Sequence, residues 1–155
     1  MNFIVSARQG EQNDIGVLNK MARDWVETGW RHTFDEPFDF RMRLGRFYDW
    51  SADGTRFFDD FDQQRRVNHH VAQYAAIWDG FIPRMKRLTN IMVGEPSTLV
   101  SSDLAVMSVQ FVTSFIATDG HEGRAHTLSS LVWRSTPDGW RIIREHGSAL
   151  NPNPQ

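Results

Sequence analysis

Apolar residues recur at helical spacing in the first half of the chain and at strand spacing in the second. Ile15, Leu18, Ala22, Trp25 and Val26 follow one another by three or four, the period of one helix face. Asn13 or Asp14 can cap that helix, and Gly29 stands near its end. Residues 33–38 read as irregular. A second helix is expected to begin near Pro37, whose ring suits a first turn, and to run through Leu44 and Phe47. Asp53-Gly54 marks a turn, and TRFFDDF at 55–61 is the first strand. A third helix starts near Asn68 with Val71, Ala72, Ala75, Ile77, Trp78, Phe81 and Ile82 apolar, and stops or kinks at Pro83.

Strand-like runs follow at 88–93, 98–115 and 124–133, punctuated by Gly94-Glu95-Pro96 and Asp119-Gly120. Residues 131–134 and 140–144 flank Thr136-Pro137-Asp138-Gly139, which is turn chemistry between two β-branched and aromatic runs. Together they predict a long antiparallel hairpin closing a sheet. Helices first and a meander afterwards is a segregated α+β architecture, and no internal repeat or low-complexity tract interrupts it.

Composition narrows the field. A chain of 155 residues is one domain, able to bury roughly 70% of its unfolded surface. With 40% hydrophobic residues, including six Trp and eleven Phe, core material is ample. The net charge of −2 gives no attraction to phosphate, so no nucleic-acid partner is expected. Cysteine is absent, which excludes disulfides, thiol nucleophiles and cysteine zinc sites. Phe3-Ile4-Val5 is far shorter than a signal-peptide core, and no run nears the ~20 apolar residues that span a bilayer. No membrane association is expected, and a cytoplasmic location is the default.

The order of helix, helix, FFDD strand, YAAIWDGF helix, SDLAVMSVQF strand, SSLVWR and DGWRIIREHGS resembles the SnoaL-like branch of the nuclear transport factor 2-like superfamily. That superfamily includes ketosteroid isomerase, scytalone dehydratase and the association domain of calmodulin-dependent kinase II. The resemblance covers residues 12–149, leaving 1–11 as an N-terminal arm and 150–155 as a C-terminal tail, in which NPNPQ at 151–155 is expected to be loosely held. It implies a cone-shaped, curved antiparallel sheet packed against N-terminal helices, the cystatin-like α+β barrel, with an apolar pocket at the wide end. A carboxylate desolvated in such a cone has its pKa raised toward neutrality, where it can take up and return a proton. Chemistry of that kind needs no cofactor, and the chain has no glycine-rich phosphate loop.

The residues offer several candidates for that chemistry. In TRFFDDF, alternation puts Phe57, Asp59 and Phe61 on one face and Phe58 and Asp60 on the other. Asp59 reads as a pocket acid or base, a position often acidic in the family, or as a strand-end carboxylate capping the following loop. Glu145 and His146 are neighbours on a strand and point to opposite sides. By comparison with the kinase association domains Glu145 faces inward, unless a bulge reverses the pair. The same parity gives Leu131 and Trp133 to the pocket and excludes His126, whose place related sequences often give to an arginine that meets an acidic ligand. The two assignments conflict unless the strand is bulged, so both stay open.

Tyr48 and Tyr74, the only tyrosines, could donate to a carbonyl oxygen or simply pack their rings in the core. Trp25, Trp30, Trp78 and Trp133 read as core or pocket wall. His69-His70 diverge by about 100° on a helix, with no carboxylate at ligand spacing, so no metal is expected. No Gly-x-Ser-x-Gly elbow supports a serine hydrolase.

Two classes of function remain. In the first, a cofactor-independent isomerase, dehydratase or cyclase moves a proton on a small apolar carbonyl compound, with Asp59, Glu145 or His126 as acid or base and Tyr48, Tyr74, Trp78, Leu131, Trp133 and His146 around the ligand. In the second, the same fold is a non-catalytic module that binds a small apolar or aromatic ligand or oligomerises. With Trp140 and Ile142 turned outward, the convex face would carry an apolar patch, and a homodimer through the sheet is expected.

Overall fold

A computed structural model describes residues 2–150, with side chains from Gln9 onward. The tail at 151–155 lies outside the described residues. The first helix, α1 (Asn2–Arg23), starts well ahead of Asn13 and passes directly into a π-helical turn at Asp24–Gly29. Its inner stripe of Leu18, Ala22, Trp25 and Val26 is buried, as the spacing of three and four predicts. A short helix α2 (Phe40–Leu44) is capped by Asp39, whose carboxylate accepts from Met42 N at 2.8 Å. It tightens into a 3₁₀ turn at Gly45–Phe47. Helix α3 (Val71–Phe81) ends in a 3₁₀ turn that contains Pro83.

Strands β1 (His32–Thr33), β2 (Arg56–Asp59), β3 (Met85–Met92), β4 (Ser97–Ser101), β5 (Leu104–Ala117), β6 (Glu122–Thr136) and β7 (Gly139–Ala149) form one sheet. Its order is β1-β3-β5-β6-β7-β2, with β4 also paired to β5. Every named pairing is antiparallel except β2 with β7, which runs parallel. The helices cover the concave face, and the core lies between them and the inward residues of β3, β5, β6 and β7. This is the α+β architecture with a curved sheet that the resemblance implied, except that the sheet is mixed, with β2 parallel to β7, where an antiparallel one was expected.

Three local features depart from the reading of the sequence. The run at 98–115 is two strands, β4 and β5, joined at Ser102-Asp103 with Ser102 at φ 56°. No glycine or proline marks that turn, and its only signal is the weaker turn chemistry of Ser101-Ser102-Asp103. Strand β2 is tied to β7, some ninety residues later, a non-local pairing that alternation cannot reveal. Finally, the register of β6 with β7 steps from Val132↔Arg144 to Trp133↔Ile142, leaving Ile143 as a bulge. That bulge flips the parity of β7, so Trp140 and Ile142 lie inward together with Glu145. Both are buried, and the outward patch expected from them does not exist.

Candidate functional site

Four side chains converge under the helices. Tyr48 is carried to the start of β7 by a parallel bridge with Ile142, where Asp49 N donates to Ile142 O at 3.1 Å. Its phenol donates to Glu145 Oε2 at 2.6 Å. Tyr74, from the buried face of α3, donates to Glu145 Oε1 at 2.8 Å. Trp25, from the π turn, donates its indole N–H to the Tyr48 oxygen at 3.0 Å. The Glu145 carboxyl, only 4% exposed, therefore has a phenol on each oxygen.

Around this network the walls are aromatic. Phe57 stacks on Tyr74 at 5.4 Å between ring centroids, and Phe40 lies within 5.2 Å of Tyr48. Such a setting disfavours charge. Burial raises the Glu145 pKa from 4.5 to about 8, against the opposing pull of its two phenol donors, and the nearby Asp59 charge adds to the rise. Burial and that same carboxyl also push both tyrosines well above their ordinary value.

Asp59 sits at the last position of β2, beside Gly147 in the parallel register. Its carboxylate lies over the Gly147 α-carbon in the space a β-carbon would occupy. Burial raises its pKa to about 6, with Asp60 and Asp62 contributing and the Phe61 N–H opposing. Asp59 Oδ1 accepts from Phe61 N at 2.8 Å, a strand-end cap just ahead of the 62–66 loop. The row below places Phe57 beside Glu145, which makes the two carboxylates diagonal neighbours on the concave face.

Both carboxylates border a cavity of about 50 Å³, enclosed by Trp25, Trp30, Trp78, Phe111, Ile82 and Leu88 among others. This volume accommodates a few waters or a handful of heavy atoms. Asn90, Thr113 and Thr127 add polar groups on the sheet side. Among the described residues no arginine, lysine or histidine lines it.

The expected site residues separate into three groups. Asp59, Glu145 and Trp78 line the cavity, and Tyr48 and Tyr74 support Glu145 from behind. Leu131 and Trp133 share the concave face but are packed in the core, away from the cavity wall. His126 and His146 lie on the outer face, because inward positions of β6 are Thr127, Ser129, Leu131 and Trp133, and those of β7 beyond the bulge are Glu145 and Gly147. His146 meets Phe58 there edge to face, with ring centroids 5.0 Å apart, and neither histidine can touch a ligand in the cavity.

Asn90 was not anticipated as a site residue, and Trp25 only as core or pocket wall. A signal for Asn90 was present, since it interrupts the inward stripe Leu88, Asn90, Met92 of β3. Among the described residues no group of three or more His, Asp or Glu side chains could hold a metal ion. Nor is any described helix long and apolar enough to cross a membrane.

No protein-family model matches the chain, and no curated protein matches it either. Solved structures do. A nuclear transport factor 2-like superfamily protein from Salmonella enterica serovar Typhimurium superposes with a TM-score of 0.73 at 17% identity, covering 92% of this chain and 95% of that one. A protein with a cystatin-like fold from Novosphingobium aromaticivorans gives 0.69 at 16% identity over 96% and 90% of the two chains. The association domain of the C. elegans kinase CaMKII gives 0.59 at 17% identity over 92% and 98%. The chain has the nuclear transport factor 2-like fold.

Proposed function

We propose that the protein is a cofactor-independent isomerase, dehydratase or cyclase that moves a proton on a small, largely apolar carbonyl compound. The observation that carries this reading is the pair of buried carboxyl groups, diagonal neighbours on one aromatic cavity. Near neutral pH Asp59, at about 6, is mostly ionised and able to abstract a proton, while Glu145, at about 8, is mostly protonated and able to donate one. Tyr48 and Tyr74 hold the Glu145 carboxyl in one orientation. The low polarity of the walls strengthens each hydrogen bond to charge that develops during reaction.

The test is deuterium uptake at the carbon next to the carbonyl in small enolisable ketones such as butan-2-one, followed by proton NMR in D₂O. Uptake catalysed by the wild-type chain should rise with an apparent pKa near 6 and fall near 8, as the pair titrates. Asp59→Asn should abolish it without lowering the thermal midpoint near neutral pH, because the neutral side chain avoids the cost of a buried charge. Wild-type protein that accelerates no exchange across such a panel would remove the catalytic reading.

One observation favours a second reading. The cavity is small, and its aromatic walls fill most of the cone. That suits a module whose role is to bind a small ligand or to assemble, and the C. elegans CaMKII domain of the same fold is an association domain. Assembly as a homodimer through the sheet has separate support. Ile91, Leu99, Leu104 and Val106 stand exposed on the outer face of β3, β4 and β5, with Leu99 directly opposite Val106. A cytoplasmic location accords with both readings.

A further inference from the structure

On the outer face of the sheet two arginines stand side by side. The parallel register of β2 with β7 pairs Arg56 with Arg144, and the antiparallel register of β7 with β6 pairs Arg144 with Val132. One pleat further along, the same pairings align Phe58, His146 and Ser130. These two rows and the exposed Val67 line a groove of about 450 Å³, within the range of small-molecule sites. Phe57 and Glu145 also border it but turn their side chains to the concave face, so groove and cavity lie on opposite sides of the sheet.

Like charges directly opposite each other on neighbouring strands destabilise a sheet unless an anion lies between them. Ion pairs among the described residues use Lys20, Arg23, Arg43, Arg66 and Arg134, and neither Arg56 nor Arg144. Arg56 donates one N–H to Thr55 O at 2.6 Å, which leaves the rest of its guanidinium for a ligand. Asp60, the next outward residue after Phe58, accepts from Ala149 N at 2.8 Å and does not line the groove. The groove is therefore cationic in one row and aromatic in the next, where Phe58 and His146 meet edge to face.

Successive outward residues of a strand are about 6.6 Å apart, a span that one aromatic ring with a carboxylate attached can bridge. We propose that this groove binds a small aromatic carboxylate, its charge held between Arg56 and Arg144 and its ring against Phe58 and His146. A guanidinium grips a carboxylate through two parallel N–H bonds, so the arginines fix the plane of the ligand as well as its charge. A neutral ring leaves the cations facing each other, and a small anion without a ring leaves the aromatic row uncovered. The site is independent of proton transfer, because its arginines and aromatic side chains take no part in the cavity.

The experiment titrates ¹⁵N-labelled protein with benzoate, benzamide and acetate, following the arginine Nε–H signals and the backbone amides of 56–58 and 130–132. Benzoate should shift those signals and bind about tenfold more tightly than benzamide, the scale of one hydrogen bond to a charged group. It should also outbind acetate, which has no ring to bury. Arg144→Gln and Arg56→Gln should each weaken benzoate about tenfold, again the scale of one such bond. Each also relieves the repulsion, so neither should lower the thermal midpoint, whereas removing an arginine that merely braces the sheet would lower it. Equal binding of benzoate and benzamide, shifts confined to residues of the cavity, or benzoate affinity unchanged in both variants would overturn the proposal. So would a change in the sedimentation of Arg144→Gln without benzoate binding to wild type, which would assign the two arginines to a protein carboxylate.

Discussion

Glu145→Gln should change the pH dependence of stability more than any other single substitution. In the unfolded chain the carboxyl titrates near 4.5, and in the folded protein near 8. Between those values the native state holds a proton that the unfolded state has released. Stability from this group is therefore fully present below pH 4.5 and is lost as pH rises through 8. At ~1.4 kcal/mol for each tenfold change in acidity, the gap corresponds to a loss of about 5 kcal/mol, a ceiling that local relaxation lowers. Gln keeps the shape and has no proton to lose.

The assay is urea unfolding followed by tryptophan fluorescence at pH 5, 6, 7, 8 and 9. Every other titrating group is common to the two proteins, so their difference isolates Glu145. Wild type should fall relative to the variant by several kcal/mol from pH 5 to 9, on the order of 2 M in urea midpoint for a slope of about 2 kcal/mol per molar. Parallel wild-type and variant profiles across that range would show that the carboxyl ionises in the native state as freely as in the unfolded one, and the account of the buried pair would fail.

Tyr74→Phe removes one donor from Glu145, which should raise the carboxyl's pKa further and lower stability by about 1–3 kcal/mol, more at pH 9 than at pH 5; urea melts at the two pH values check it. Gly147→Ala puts a β-carbon where the Asp59 carboxylate lies, so it should displace that group and depress ketone exchange at least tenfold while costing about 1–3 kcal/mol in thermal unfolding. Leu99→Glu should dissociate a dimer formed through the sheet without loss of secondary structure, and sedimentation velocity at micromolar concentration would read monomer against a wild-type dimer.

What could be read from the residue order was local. The spacing of Leu18, Ala22, Trp25 and Val26 located a helix face, and Pro137-Asp138-Gly139 located the last turn, because period and turn chemistry act over a few residues. The start of α1 was missed because its first half, 2–12, carries no clear apolar stripe to set against the stronger cap at Asn13. The β4–β5 turn was missed because Ser102 adopts positive φ without being glycine. The site was legible only in parts. Asp59 follows from alternation within one strand, whereas the contact of Tyr48 with Glu145 joins residues 97 apart, and no local pattern encodes it.

The bulge at Ile143 links the fold to the site. Strict alternation along β7 would put Ile142 and Glu145 on opposite faces, so either the core would lose an isoleucine or the cavity its carboxyl. One extra residue keeps both inward, and the parallel register beyond it sets Phe57 beside Glu145 and Asp59 beside Gly147. A leucine at 145 would meet the same aromatic walls with no desolvation cost, and replacing buried ionisable groups by apolar ones commonly stabilises a protein. Instead three side chains from three separate segments, Trp25, Tyr48 and Tyr74, are arranged around a group that the surroundings drive toward its neutral form. Departures from the most stable arrangement concentrate at sites that do chemistry or bind. Here the departure borders the aromatic cavity that Asp59 also lines.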